Sequence, residues 1–134
     1  MSATQNHSAY VDTRPFWDGA KARRLVLQRC RDTGRFQHVP RPISIYTGSR
    51  NLEWGEVCGL GEVTAATILR TGRSRIDGST PHVIAAVRLV EGVIFLSELV
   101  GPDKLELAVG TRVHVVFSAL QDGRMWPAFG TVGA

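Results

Sequence analysis

The sequence predicts a mainly β protein built around a small closed barrel of the oligonucleotide/oligosaccharide-binding (OB) type. Of its 134 residues, 14 are glycine and six are proline, and they separate short apolar runs in the way that turns separate strands. Five to six such runs, with turn signals between them, fit the roughly five strands of a Greek-key OB barrel. Because 43% of the residues are hydrophobic, the chain can bury the core of one ordinary domain.

One short helix is predicted before the strands. Thr13 is a candidate N-cap, and Pro15 is tolerated in the first turn because its missing N–H would have no intrahelical partner there. We expect the helix to reach about Arg24, with Phe16 and Trp17 among the apolar positions of its buried face. Aromatic residues of this kind dock a partner or pack onto the barrel, and the sequence leaves both alternatives open.

Two turns in the first third of the chain have the spacing of a zinc ribbon. Two residues separate Cys30 from Thr33 and Ser44 from Thr47, and ten residues separate the two pairs. A structural zinc site needs four donors, usually thiolates, on two facing turns. Three of these four positions carry hydroxyls, which do not ionise near neutral pH and are poor zinc ligands.

The remaining elements are predicted as strands separated by glycine and proline turns. Glycines interrupt the alternating run from Leu52 to Leu69, which indicates bulges or sharp coiling of the kind that closes a small barrel. Glu91-Gly92 is typical of a hairpin turn. The predicted strands are Leu25–Gln28, the interrupted run Leu52–Leu69, His82–Val90, Val93–Leu99, Arg112–Ala119 and Met125–Thr131.

Several short segments carry a family resemblance by their order and spacing together. They are Pro15–Gly19, Arg29–Asp32, Arg41–Pro42, Gly48–Ser49, Leu52–Trp54, Gly59–Gly61, Pro81–Leu89 and Glu91–Gly92. Over roughly residues 14 to 132 the chain resembles the zinc-ribbon/OB-fold family of acyl-CoA-associated accessory proteins. The resemblance implies a small non-catalytic subunit that joins a thiolase-superfamily enzyme or a related CoA-thioester enzyme.

The resemblance also implies a rubredoxin-like ribbon before the barrel, from which this chain departs at the metal ligands. Thr33, Ser44 and Thr47 stand where the family pattern has cysteines. Gly34 and Gly48 follow the two turns and still permit the positive φ that tight turns require. We therefore predict a ribbon remnant that keeps its shape and holds no zinc. The predicted division is a flexible tail at 1–12, the helix and degenerate ribbon at 13–51 and the OB barrel at 52–134.

Positive charge is concentrated in the first half of the chain. Residues 14–75 contain 12 basic and 5 acidic residues, whereas residues 76–134 contain 4 basic and 6 acidic ones. Fourteen of the 16 cations are arginines, whose planar guanidinium suits bidentate pairing with phosphate or carboxylate. This pattern favours an anionic partner, such as CoA phosphates, an acidic protein face or nucleic acid. A solvated basic surface that aids solubility is the alternative.

The sequence carries no catalytic motif. Cys30 and His38 could meet across the ribbon, and Ser97 precedes Glu98 at a strand end, but neither pair has the signature of an activated nucleophile. A metal site made from Cys30, His38 and Cys58 would offer three donors at irregular spacing. We predict neither catalytic nor metal-binding residues.

We therefore predict a non-catalytic accessory subunit of a hetero-oligomer that binds a thiolase-like or aldolase-like enzyme and helps to bind or channel its acyl-CoA substrate. No cofactor is expected to be bound tightly. Arginines are the candidates for contacts with CoA phosphates or acidic partner residues, and aromatics for anchoring the partner. The arginines are Arg23, Arg24, Arg35 and Arg41, and the aromatic anchors are Phe16 and Trp17.

Two other functions stay open at this point. OB barrels also bind single-stranded nucleic acid through a basic groove lined with stacking aromatics. Here only 7% of residues are aromatic, and the second half of the chain is net negative, so nucleic acid is not the expected partner. The other alternative is a scaffold that only keeps an enzyme soluble and assembled.

The cysteines and the N-terminus bear on location. Cys30 and Cys58, in a sequence without a basic-then-apolar secretory pattern, predict reduced thiols and a cytoplasmic protein. No apolar run approaches the length of a membrane span, so no membrane association is expected.

Overall fold

The computed structural model describes residues 11–131 and is mainly β, as predicted. All but the last two residues of the predicted tail at 1–12 lie outside the described residues. One α-helix, eight strands and a single-turn 3-10 helix (Lys104–Glu106) make up the described part of the chain. In chain order they are α1 (Arg14–Lys21), β1 (Leu25–Cys30), β2 (Phe36–Gln37), β3 (Leu52–Val57), β4 (Leu60–Leu69), β5 (His82–Leu89), β6 (Ile94–Leu99), β7 (Arg112–Ala119) and β8 (Met125–Thr131).

The strands form two sheets. The first is a three-stranded sheet in the order β2-β1-β3, and the second is a closed barrel in the order β4-β5-β6-β8-β7. Neighbouring strands are antiparallel except β6 and β8, which pair in parallel through Leu99 and Phe129. β3 pairs with β1 from Leu52 to Val57, so the ribbon sheet continues past residue 51, where the sequence analysis placed the start of the barrel.

Helix α1 begins as the sequence predicts and ends earlier. Thr13 occupies the N-cap position without a side-chain cap hydrogen bond, and Pro15 lies in the first turn. The helix stops at Lys21 rather than near Arg24, because Arg23 takes a left-handed φ of 63° that helical hydrogen bonding cannot continue. Within the described residues, no helix is long and apolar enough to cross a membrane.

The glycine-interrupted run contains two separate strands and a bulge. β4 pairs with β5, and the register shifts between Val63 and Ala65. Gly61 lies so close to β5 that a Cβ there would meet the carbonyl oxygen of Arg88 at 2.5 Å. The glycine thus permits close strand approach, while the bulge itself lies at Thr64.

The hydrophobic core fills the barrel and extends to the helix. Inward-facing side chains alternate along the strands because successive residues point to opposite faces. Phe16 of α1 packs over the barrel with its ring stacked 6.3 Å from that of Phe95. The buried barrel residues of this core are Val63, Val83, Ala85, Val87, Leu89, Phe95, Leu99, Val113 and Phe129.

Candidate functional site

The two ribbon turns have the conformation that the sequence predicts. In the first turn the N–H of Gly34 donates to the carbonyl of Cys30 at 2.8 Å, and in the second the N–H of Gly48 donates to the carbonyl of Ser44 at 2.9 Å. The φ angles of the two glycines are 75° and 76°. Both turns therefore use a left-handed residue that glycine adopts without strain.

The side chains on these turns do not fit a zinc ion. The Ser44 hydroxyl oxygen accepts the backbone N–H groups of Tyr46 (3.0 Å) and Thr47 (3.3 Å), and Thr33 Oγ1 accepts that of Arg35 at 3.2 Å. Each of these hydroxyl oxygens thus accepts a backbone N–H of its own turn. Residues 11–131 contain no group of three or more histidine, cysteine or acidic residues that could hold a metal.

Cys30 is the one thiol of the ribbon turns. Hydrogen bonds from Ser44 and then Thr33 lower the pKa of its thiol to about 7, because they stabilise the thiolate. The residue is fully buried, so no substrate can reach the sulfur in this conformation. The thiol is therefore acidic without being available for chemistry.

His38 does not form the acid–base pair with Cys30 that the sequence analysis considered. Its ring lies 4.5 Å from that of Phe95 and 6.4 Å from that of Phe16, and its Nδ1 has no hydrogen-bond partner among the described residues. Burial lowers the pKa of His38 to about 4. The imidazole is neutral at pH 7 and packs the ribbon against the barrel.

A carboxylate joins the two ribbon turns. Asp32, in the first turn, accepts hydrogen bonds from Asn51 Nδ2 (2.7 Å), Ser49 Oγ (2.8 Å) and Thr47 Oγ1 (3.3 Å). These bonds, with that of Asn51 the largest contribution, lower the pKa of Asp32. The carboxylate links the two turns through hydrogen bonds, as a shared metal ion would through coordination.

Two buried glutamines hold the second turn from the other side. Gln37 Nε2 donates to Gln28 Oε1 (2.6 Å) and to the Ile43 carbonyl (3.1 Å), while Gln37 Oε1 accepts the N–H of Ile45 (2.8 Å). Gln28 completes the arrangement through both backbone groups of Arg41, at 2.8 and 2.9 Å. The exposed fractions of Gln28 and Gln37 are 4% and 1%, and this glutamine clamp was not foreseen from the sequence.

The four arginines predicted to contact CoA are not brought together. Arg24 is ion-paired with Glu56 at 3.1 Å, and the Arg35 guanidinium lies 4.0 Å over a tyrosine ring. Arg24 lies just before β1, whereas the carbonyl of Arg35 accepts the N–H of Cys30 at the other end of β1. At the usual rise per strand residue, their backbones are therefore about 20 Å apart. Arg23 and Arg41 are exposed, at the helix end and in the ribbon respectively.

The two predicted aromatic anchors have different surroundings. Phe16 is only 6% exposed and packs in the core, as the packing alternative expects. Trp17 is half-buried, with its ring 5.7 Å from that of Trp126 and the Arg124 guanidinium 4.5 Å over its face. Trp17 is therefore the aromatic residue of α1 that lies at the surface.

Trp17 and Trp126 line a groove on the barrel with a volume of about 330 Å³. Arg75 and Arg124 also line this Trp17–Trp126 groove, and its apolar wall includes Leu96, which is 63% exposed. An apolar surface flanked by two guanidinium groups can hold an extended apolar ligand with an anionic end. The sequence analysis did not select Arg75, Arg124 or Trp126 as site residues. They come from two loops and from β8, which are far from Trp17 in the sequence.

Ser97 and Glu98, considered earlier as a possible reactive pair, form the floor of this groove. Ser97 Oγ accepts the indole N–H of Trp126 (2.9 Å) and donates to the Pro127 carbonyl (2.6 Å). Glu98 accepts the Ser74 hydroxyl (2.6 Å) and the backbone N–H of Arg75 (3.1 Å). Their polar atoms hold the groove in shape and are not arranged as a nucleophile and a base.

Two other depressions on the barrel have no aromatic lining of Trp, Phe or Tyr. One of about 530 Å³ surrounds Glu62 and Arg88. The other, of about 620 Å³, includes Asp77, Asp103 and Glu106, whose charge opposes an anionic ligand. The first depression, like the groove, is lined by two arginines and one glutamate, but only the groove adds two tryptophan rings, which makes it the better candidate for an organic anion.

Comparison with known proteins matches both parts of the chain to one kind of protein. The profile of the ChsH2 C-terminal OB-fold domain matches residues 54–118, and that of the ChsH2 rubredoxin-like zinc ribbon domain matches residues 17–43. The structure is similar to the Ltp2-ChsH2(DUF35) aldolase, with a TM-score of 0.79, 27% identity and coverage of 93% of this chain and 98% of that chain. A protein of unknown function from the DUF35 family of Sulfolobus solfataricus shares the fold, with a TM-score of 0.62, 18% identity and coverage of 88% and 83% of the two chains.

Three relatives are similar in sequence. The 3-oxo-4,17-pregnadiene-20-carboxyl-CoA hydratase alpha subunit of Mycobacterium tuberculosis is 34% identical over 92% of this chain, and a probable enoyl-CoA hydratase alpha subunit of Thermomonospora curvata is 36% identical over 70%. The chain spans only 39% and 30% of the lengths of these two proteins. A DUF35 domain-containing scaffold protein of Pyrococcus furiosus is 31% identical over 74% of this chain and 72% of its own length.

Proposed function

Because the chain belongs to the DUF35 family and matches both a zinc-ribbon and an OB-fold profile, we propose that it is a non-catalytic accessory subunit of a thiolase-superfamily enzyme that acts on an acyl-CoA. The observation that carries the proposal is the likeness to the Ltp2-ChsH2(DUF35) aldolase over 93% of this chain. The hydratase alpha subunits and the scaffold protein support the same assignment.

The side-chain arrangement supports a role without chemistry of its own. The acidic thiol of Cys30 is buried, and the imidazole of His38 is neutral and packed. In the groove, Ser97 and Glu98 are engaged in hydrogen bonds to neighbouring residues of the chain. A general acid–base or nucleophilic mechanism needs such groups free and facing a substrate. Bond making or breaking on the acyl-CoA is therefore assigned to the partner enzyme.

The Trp17–Trp126 groove is the proposed contact for the CoA ester. Its apolar wall suits the pantetheine arm, and Arg75 and Arg124 suit the phosphates. Arg23, Arg35 and Arg41 make no ion pair within residues 11–131 and are proposed as further contacts to phosphate or to acidic residues of the enzyme. Trp17 would anchor the enzyme or the ester at the same place.

Co-purification with the enzyme tests the assignment. The chain is expressed with an affinity tag in its native host, and the eluate is analysed by mass spectrometry and light scattering. A stoichiometric complex with a thiolase-superfamily enzyme is expected. Recovery of the chain as a lone monomer would overturn the proposal.

Titration calorimetry with CoA then separates substrate binding from a pure scaffold role. Arg124→Ala should weaken CoA binding to the complex about tenfold, the usual scale for a lost charge-assisted contact. Arg14→Ala is the matched control, because Arg14 and Arg124 are both exposed and both ion-paired with the aspartate two residues before them, at 2.6 and 2.7 Å. Equal affinity in the two variants would remove the groove from the proposal and favour a scaffold.

The nucleic-acid alternative has less structural support. Stacking platforms need exposed aromatic faces, whereas Phe16, Phe95 and Phe129 are at most 6% exposed. The half-buried Trp17 carries the Arg124 guanidinium 4.5 Å over its ring. Filter binding to a single-stranded oligonucleotide over a salt series is the check. Sub-micromolar affinity with a steep salt dependence would reverse the preference.

A further inference from the structure

β4 is longer than the barrel requires. On its outer edge β7 pairs only with Leu60, Gly61 and Glu62, and Val63 then exchanges its backbone bonds with the loop before β7, at 3.0 Å to Thr111 and 2.7 Å from Gly110. On its inner edge the strand continues to pair with β5 as far as Leu69. No described residue pairs with the outer edge beyond Val63.

The resulting free edge, residues 65–69, carries none of the usual protection. Its sequence is Ala-Ala-Thr-Ile-Leu, without charge or proline, and all five residues are exposed. Because N–H and C=O groups of an antiparallel strand point alternately to either side, two or three of these residues present both groups outward. Natural proteins blunt such edges with lysine, proline or a covering element, and here only the bulge at Thr64 precedes the edge.

The free edge is held on a rigid support. β5 backs it from Ala86 to His82, and β6 pairs with the other side of β5. His82 and Val83, opposite Leu69 and Ile68, are 6% and 2% exposed. An added strand would therefore meet an edge that is already in extended conformation, which lowers the entropic cost of pairing.

Charge next to the free edge indicates what kind of strand fits. Arg70 and Arg73 follow it, are both exposed and make no ion pair within residues 11–131. An antiparallel strand passing along the edge would place one of its ends beside these guanidinium groups. Carboxylates at that end would be complementary.

A second copy of the chain fits less well. Antiparallel self-pairing over residues 65–69 would bring Arg70 and Arg73 of one copy toward Glu62 of the other copy. Within its own chain, Glu62 has Arg88 and Arg112 as cross-strand neighbours. Two positive charges beside one negative charge there would repel the incoming arginines. The charges thus favour a different, acidic partner.

We propose that the free edge of β4 docks an extended segment of the partner enzyme, which adds an antiparallel strand with an uncharged centre and acidic residues beside Arg70. The inference rests on the proposed function for the identity of the partner. Backbone hydrogen bonds supply the pairing, and the arginines set direction and register.

Hydrogen exchange on the chain alone and in its complex with the co-purified thiolase-superfamily enzyme tests the inference. The amides in residues 65–69 that point away from β5 should exchange more slowly in the complex, by about tenfold or more. A complex that forms without this protection overturns the docking edge and leaves the accessory function standing, whereas the absence of any complex overturns both. Protection of these outward-pointing amides already present in the isolated chain would show that a second copy or a terminal segment of the chain covers the edge, and would also overturn the inference.

Two substitutions sharpen the test. Ile68→Lys adds the charge that usually blocks an edge strand and should weaken the complex about tenfold or more. Val90→Lys is the control and should leave the complex unchanged, since Val90 is also exposed but follows the end of β5 that lies away from the free edge. Arg70→Glu should weaken the complex in a salt-dependent way. Thermal melts confirm that each variant is folded, and equal affinity for Ile68→Lys and Val90→Lys would overturn the proposal.

Discussion

Replacing Gln37 by alanine should release the second ribbon turn. The change removes three hydrogen bonds made by one side chain that is 1% exposed. It leaves the carbonyl of Ile43 and the N–H of Ile45 without their partner, and each such buried group costs about 1–3 kcal/mol. Since both isoleucines are partly exposed, water can reach some of these atoms, and we expect a loss of about 3 kcal/mol in the free energy of unfolding.

Urea unfolding measures this loss. Tryptophan fluorescence is a suitable probe because Trp54 lies on β3 of the ribbon sheet. The control is Gln121→Ala, a change at an exposed turn residue that should alter stability by less than about 0.5 kcal/mol. A loss below about 1 kcal/mol for Gln37→Ala would refute the view that the glutamine clamp holds the second ribbon turn in place.

A charged variant adds a signature that simple loss of packing would not produce. In Gln37→Glu the carboxylate still accepts the N–H of Ile45 but faces Gln28 Oε1 and the Ile43 carbonyl without a proton to donate. Burial and the two oxygens should raise the pKa of the new carboxyl above the unfolded value of about 4.3. The penalty should therefore grow as the pH rises above that value, and a pH-independent penalty would contradict the reasoning.

Three further results are expected. Hydrogen bonds lower the pKa of Asp32 in the folded state. Its contribution to stability is therefore present above the unfolded pKa of about 3.9 and is lost as the pH falls through the folded pKa. Asp32→Asn should flatten the acid limb of a plot of melting temperature against pH. Elemental analysis of the natural chain should give well under one zinc per chain, and a chelator should not change its melting temperature; tightly bound zinc would refute this prediction. The triple change Thr33→Cys, Ser44→Cys, Thr47→Cys should confer zinc binding and a melting temperature that a chelator lowers. Ser44→Ala should raise the pKa of the Cys30 thiol above about 7, and an unchanged titration of thiolate absorbance would contradict the assigned cause.

Local patterns predicted much of the fold. The hairpin of β7 and β8 has the predicted bounds, and the two glycines of the ribbon turns have the predicted positive φ. These features depend on residues close together in sequence, such as a glycine after a turn or a short apolar run before one. The family resemblance is confirmed by the matches to the ribbon and barrel profiles.

The errors arose where distant residues compete for the same segment. The helix was expected to reach Arg24, but the chain turns at Arg23 to enter β1. The run that was assigned to the barrel begins with β3, which pairs with β1 over its whole length, while the match to the OB-fold profile begins at residue 54. An apolar, glycine-interrupted run does not specify its partner strand, because alternation records which face is buried and not which neighbour pairs with it.

The candidate site was predicted only in part for the same reason. Trp17 was identified from its place in the helix, whereas the partners that make the groove come from a loop and from both sides of the last hairpin. Gln28 and Gln37 were passed over because a glutamine in a strand is usually solvent-exposed. Their burial becomes favourable only when backbone groups of residues 41–45, in and before the second turn, satisfy both amides.

The sequence alone determined the mainly β class and the two tight turns, since both follow from the type and spacing of neighbouring residues. The family resemblance added that hydroxyls replace three ligand positions of a zinc ribbon. Only the tertiary structure decided what joins the turns without a metal, which aromatic residue of α1 reaches the surface and where β4 has an edge that no residue within 11–131 pairs with. These features depend on contacts between segments far apart in the chain, and their hydrogen bonds and charges are specified by three-dimensional proximity rather than by local pattern.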